Sequence, residues 1–123
     1  MATKLPSIGG APVVLLPVRI PSCNADVTRA AAFRLPFPAY LAGISTTARV
    51  STGTTPTLAA NVKVGGTTVL SAPVAVVADS FTEAAIATAK LADEAELTID
   101  LDIGGTSSPT FTDIDILITL VRV

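Results

Sequence analysis

Prolines and glycines interrupt every long apolar run in this chain, and that feature decides most of what it can fold into. The first run extends from Leu5 to Val18 and is cut by Pro6, Pro12 and Pro17. The second, residues 64–78, contains Gly65, Gly66 and Pro73. A membrane-spanning helix needs about 20 unbroken apolar residues, so neither run predicts one, and no membrane partner is expected. Proline lacks the N–H that a helix interior or a central strand uses. A secretory signal is not expected either. Lys4 is the only early positive charge, and prolines split the would-be apolar stretch. Yet half of the 123 residues are hydrophobic. A single domain of this size buries about two-thirds of its unfolded surface, so contacts between copies are the natural destination for the excess.

β-Structure is what such a chain can still build. Leu58, Ala60, Val62 and Val64 alternate with Ala59, Asn61 and Lys63, and Gly65-Gly66 then introduces Thr67–Leu70. Two glycines that tolerate positive φ, placed between alternating strands, predict a hairpin. Leu97, Ile99, Leu101 and Ile103 alternate with Thr98, Asp100 and Asp102, and Ile114, Ile116, Ile118 and Leu120 repeat the period. Further strands are expected near 31–37, 40–51, 73–78 and 81–88, with a loop over 104–110. Residues 82–96 are rich in Ala and Glu and have helix propensity. Their β-branched residues and flanking strands favour a strand over 81–88 and a loop over 89–95. The fold class is therefore all-β: an antiparallel, jelly-roll-like β-sandwich of seven or eight short strands. Residues 1–24, with Pro6, Pro12, Pro17 and Pro21, admit two readings. One is an extended N-terminal arm that lies along a neighbouring subunit, beside a β-sandwich domain over 25–123. The other is an ordinary first strand near 12–20. In either case Val13, Val14, Leu15 and Leu16 are candidate contact residues. So are Leu117, Val121 and Val123, because the last strand turns apolar on both faces.

The chemistry of sites is thin. There is no His and one Cys, which excludes histidine acid–base catalysis and an internal disulfide. Cys23 has no adjacent base to make it a nucleophile. No phosphate-loop motif is present, and no basic cluster with aromatic platforms suggests nucleic acid. No enzyme activity and no cofactor are expected. Asp100, Asp102, Asp113 and Asp115 offer the hard oxygen ligands that suit Ca²⁺. Like charges opposed in a ladder repel, so a solvated face with salt links to Arg29, Arg34, Arg49 or Lys63 is the preferred reading. Charge is divided along the chain. Residues 1–64 carry six cations against Asp26, and residues 65–123 carry Lys90 and Arg122 against nine acids. That split predicts two unlike faces or head-to-tail contacts between copies.

Residues 31–76, AAFRLPFPAYLAGISTTARVSTGTTPTLAANVKVGGTTVLSAPVAV, and residues 91–106, LADEAELTIDLDIGGT, carry a family resemblance. In order and spacing they resemble a β-sandwich, jelly-roll-like module of tailed-bacteriophage virion proteins, found in capsid decoration, head-fibre and tail proteins. The resemblance runs from about Val27 to the end. Residues 71–88 are more apolar than the usual charged version. The resemblance implies a structural role without catalytic residues. Its near-standalone form implies a capsid decoration, or cement, protein that binds the outer shell as an oligomer. The partners implied are the major capsid protein and further copies of the chain, a trimer favoured. The implied location is the virion, assembled in the host cytoplasm. A tail, baseplate or head-fibre component is the alternative. A carbohydrate-binding module is remote, because sugar-stacking aromatics are scarce.

Overall fold

The structure, a computed structural model, describes residues 12–122. Its strands are β1 (Val13–Cys23), β2 (Val27–Arg34), β3 (Ala39–Val64), β4 (Thr67–Thr68), β5 (Val74–Ala75), β6 (Thr82–Glu83), β7 (Lys90–Leu91) and β8 (Glu96–Arg122). No helix occurs among the described residues. The fold is all-β and sandwich-like, an antiparallel sheet curled into a half-barrel.

Strand length departs from expectation. β3 has 26 residues and β8 has 27, and they pair antiparallel from Ala39 opposite Arg122 to Val64 opposite Leu97. Residues 104–110 are thus not a hairpin loop; β8 runs through them. The ribbon bends there without parting. Its register slips between Thr52 and Thr54 and again between Thr54 and Thr57, and such bulges bend a strand while keeping it paired. Thr55, Ser107 and Ser108 adopt positive φ at the bend. Gly53 and Gly105 lie there too, at φ of 107° and 118°. A Cβ on Gly105 would meet the Thr55 carbonyl oxygen at 2.9 Å, so only glycine lets the two strands close up.

The bend divides the sheet into two halves. β1 pairs with β8 from Phe111 to Val121, and β2 pairs with β8 from Glu96 to Leu101. One half is therefore β1–β8–β3 and the other β2–β8–β3. At the corner between β1 and β2, Asp26 Oδ1 accepts a 2.9 Å hydrogen bond from the Ile103 amide. Because side chains alternate, each half buries one face. Ile114, Ile116, Ile118 and Leu120 from one half join Leu97, Ile99 and Leu101 from the other in a single core. Phe111, at the bend, is 2% exposed. Asp113 has a φ of 53° between the buried Phe111 and Ile114, which shifts the alternation by one residue.

Residues 67–91 close the open edge of β3. β4 and β5 pair with its second half, while β6 and β7 pair with its first. The expected strands at 73–78 and 81–88 shrink to two-residue ladders because the chain hops between the halves. The Ala-rich segment is held extended, not helical. Ala84 N–H donates to Ile44 O at 2.9 Å and Ala87 N–H to Val69 O at 2.8 Å. Half-buried Ala84 and Ile86 alternate with exposed Ala85 and Ala87, the period of a strand.

For Val13–Cys23 the structure holds the first-strand reading of the Pro-rich segment, since this stretch is a strand of the sheet. Residue 24 is a corner between paired strands rather than the end of a detached arm. Residues 1–11 of the expected arm lie outside the described residues. Pro17 lies opposite Leu117. Having no N–H to give β8, it must turn its nitrogen to the free edge of β1, where it blunts further strand addition.

Candidate protein interface

Alternation sorts the candidate contact residues. Val13, Leu15 and Leu117 lie on the outer face of the β1–β8–β3 half, exposed at 47%, 56% and 37%. Val121, opposite Val13, shares that face and is half-buried. Val14 and Leu16 turn inward, half-buried, and pack against the core. Val123 lies outside the described residues. The structure adds Tyr40 and Phe81, exposed at 45% and 79%. Tyr40 is opposite Val121. Phe81 precedes the Thr82–Thr46 pair and walls a groove of about 260 Å³ with Pro17 and Leu117. Sequence patterning could not place Phe81, because its face depends on how β6 registers against β3.

The outer face of the other half is charged. Lys63 Nζ lies 2.8 Å from Asp100, and Arg29 Nη1 lies 3.3 Å from Glu96. Arg34 Nη1 lies 3.5 Å from Glu94. On the first half Arg19 is bidentate to Asp115 at 2.9 and 3.1 Å, and Arg49 Nε is 2.6 Å from Asp113. Each of these pairs joins a cation from residues 1–64 to an acid from residues 65–123. The divided charge of the sequence is therefore internal: acidic β8 lies between basic β1, β2 and β3. It does not mark two oppositely charged faces. All but the half-buried Lys63–Asp100 pair are well exposed, where water screens ion pairs strongly, so they set register more than stability.

The four acids of the candidate cation site do not converge. Asp100 and Asp102 lie on one half, Asp113 and Asp115 on the other. The hydrogen bond from Lys63, then that from the Arg29 amide, holds Asp100 below the usual carboxylate range. The hydrogen bond from Arg49 does the same for Asp113. Asp102 goes the other way. Hydrogen bonding and repulsion by Asp26 raise it. A raised carboxyl stabilises the fold while protonated, and that contribution is lost as pH rises through its folded-state value. Asp102→Asn is therefore expected to raise the melting temperature at pH 7. The gain should vanish near pH 3, below the ordinary value of 3.8. Equal effects at both pH values would refute the repulsion. Cys23 is buried, its Sγ 3.2 Å from the Ala25 carbonyl oxygen, and burial pushes its thiol pKa up. It is a packed side chain, not an activated thiolate.

No family model matches the sequence, and no curated protein matches it. Among solved structures, a chain of the cyanophage Pam1 capsid asymmetric unit is similar, with a TM-score of 0.59 at 18% identity. The match covers 100% of this chain and 93% of that one. At this identity the likeness is one of fold, and it extends over the whole length of the chain.

Proposed function

We propose that the chain is a structural protein of a bacteriophage particle, and within that class a capsid decoration protein. In this reading it binds the outer shell, formed by the major capsid protein, in many copies during assembly in the host cytoplasm. The observation that carries it is the whole-length likeness to a chain of the cyanophage Pam1 capsid asymmetric unit. The virion-module resemblance of residues 31–76 and 91–106 points the same way. The two outer faces support it physically. Both carry ion pairs, but only the β1–β8–β3 half also exposes Val13, Leu15, Tyr40, Phe81 and Leu117, so one module can serve two kinds of neighbour. Cementing needs no catalysis. It needs area: a standard interface buries about 1,600 Å², and at about 25 cal/mol per Å² each bridge leaves several kcal/mol after association costs. Repeated over a shell, that resists the pressure of packaged DNA.

Copy number tests the reading. Quantitative mass spectrometry on purified particles of the encoding phage should find the chain in hundreds of copies. A dozen or fewer would place it in the tail, baseplate or a fibre instead. Absence from the particle would overturn the proposal altogether.

A further inference from the structure

Residues 67–91 are attached to the sheet differently from the rest of it. β4, β5, β6 and β7 each pair with β3 and with no other strand. The long ladders of β8 with β1, β2 and β3 pass none of their pairs through this segment. Single amide bonds fill the gaps between the short ladders. Val76 N–H donates to Leu58 O at 2.8 Å, and Asp79 N–H to Ala48 O at 2.9 Å. The ion pairs among the described residues all lie elsewhere in the fold, and Asp79, Glu83 and Lys90 join none of them. Burial is uneven as well. Val69, Leu70, Val74, Val76 and Leu91 are buried, but residues 77–90 bury no side chain. Yet the segment is tied to itself. Ser71 N–H donates to Ala85 O and Ala87 N–H to Val69 O, both at 2.8 Å, and Leu70 bridges Ile86. Its two ends differ from its middle. Gly65 and Gly66 have φ of 59° and 87°, and a Cβ on either would meet nothing within 4 Å. Past the other end, Leu35 N–H donates to Ala95 O and Leu35 O accepts from Glu94 N–H, both at 2.9 Å. Anchorage to the long strands therefore resumes at Glu94.

We infer that residues 67–91 form a strap that opens as one unit on a still-folded frame of β1, β2, β3 and β8, and so gates the outer edge of β3. Three observations favour this. Topology is the first: releasing the strap breaks no ladder of the frame. The balance of burial against order is the second. Every ordered residue costs conformational entropy, and the strap sets five buried apolar side chains against the ordering of its whole length. Segments with little buried apolar surface are the ones that open below the global limit. Self-contained bonding is the third. The hydrogen bonds between residues 69–71 and 85–87 let the strap leave and return without losing its own shape. What it covers is the outer edge of a 26-residue strand. An unpaired edge is a template for strands of other chains, further copies included. Pro17 and Pro21 blunt the free edge of β1, and Pro56 at the bend is the only proline between Ala39 and Val64. Closure of the strap gives β3 the protection that prolines give β1.

Native-state hydrogen exchange on the full chain in increasing urea, read residue by residue, tests the strap. The amides of Val76, Asp79, Ala84 and Ala87 should exchange at least about tenfold faster than those of Ile99, Ile116 and Ile118, with a shallower dependence on urea because less surface is exposed. Val18→Ala alters a buried side chain of β1, a strand with no ladder to the strap. It should speed exchange of the frame amides severalfold and leave the strap amides unchanged. Equal rates in strap and frame, or equal acceleration of both by Val18→Ala, would overturn opening as a unit. Val74→Asp places a charge beneath the strap, where Val74 is 4% exposed. It should abolish protection over 67–91, leave the frame amides protected, and make the chain self-associate in sedimentation velocity. Loss of frame protection, or an opened chain that stays monomeric, would overturn the gating.

Discussion

Phe111→Ala is expected to cost about 3–5 kcal/mol, the range for removing a buried aromatic side chain, and to lower the melting temperature by about 10–20 °C. Phe111 is 2% exposed and is paired with Cys23 on one side and Ser51 on the other. It therefore sits where all three long strands approach the bend. No neighbouring element can move into the space, because β1, β3 and β8 are tied to one another at that level. The cavity term is then felt in full. A domain of this size is stable by about 5–15 kcal/mol, so the loss is a large share of the total. Urea unfolding monitored by circular dichroism would measure it. A cost below about 1 kcal/mol would mean that the bend is not anchored by this side chain.

Gly105→Ala is expected to cost about 2–4 kcal/mol, combining backbone strain with a clash that nothing can relieve. At a φ of 118° the added methyl would face the Thr55 carbonyl oxygen at 2.9 Å, Pro56 Cα at 3.0 Å and the Thr54 carbonyl oxygen at 3.1 Å. All three are backbone atoms of the facing strand, so relief requires moving β3 itself. Gly65→Ala is the matched control. Its φ is also positive, at 59°, but nothing lies within 4 Å of the added Cβ. The control should lose only about 1–2 kcal/mol. Equal losses at the two positions would show that the close approach of the strands contributes nothing.

The paired halves of the ribbon were readable from sequence, and the bend was not. Alternation over 58–64, 97–103 and 114–120 is set by burial of one face, so it survives into the structure, save that Thr98 is buried between Leu97 and Ile99 and that Val64 and Ile103 are only half-buried. The Gly65-Gly66 turn is local chemistry and also carries through. By contrast, residues 104–110 read as a loop because Gly104, Gly105, Ser107, Ser108 and Pro109 are turn formers. In the folded ribbon the same residues supply bulges inside a continuous strand. Only the presence of the facing Gly53–Thr57 segment distinguishes those outcomes. The candidate interface divides in the same manner. Leu15 and Leu117 were legible as apolar residues without a core assignment. That Val14 and Leu16 face the core instead was not legible, because strand phase depends on pairing with β8. The exposed face of Phe81 was invisible in the sequence, since it is set by the two-residue ladder of β6 to β3.

Every strand that matters for the core waits for β8. β1 and β2 make their long ladders with it, and β3 pairs with it along its whole length. Yet β8 is synthesised after all of them. At translation rates of about 5–20 residues per second, β1 through β3 spend several seconds as apolar strands without their common partner. Sheet formation is then a late, long-range event of the kind that folds slowly. The prolines of β1 act in that interval as well. By denying donors to passing strands, they keep the nascent chain from pairing with its neighbours on the same message before its own last strand emerges.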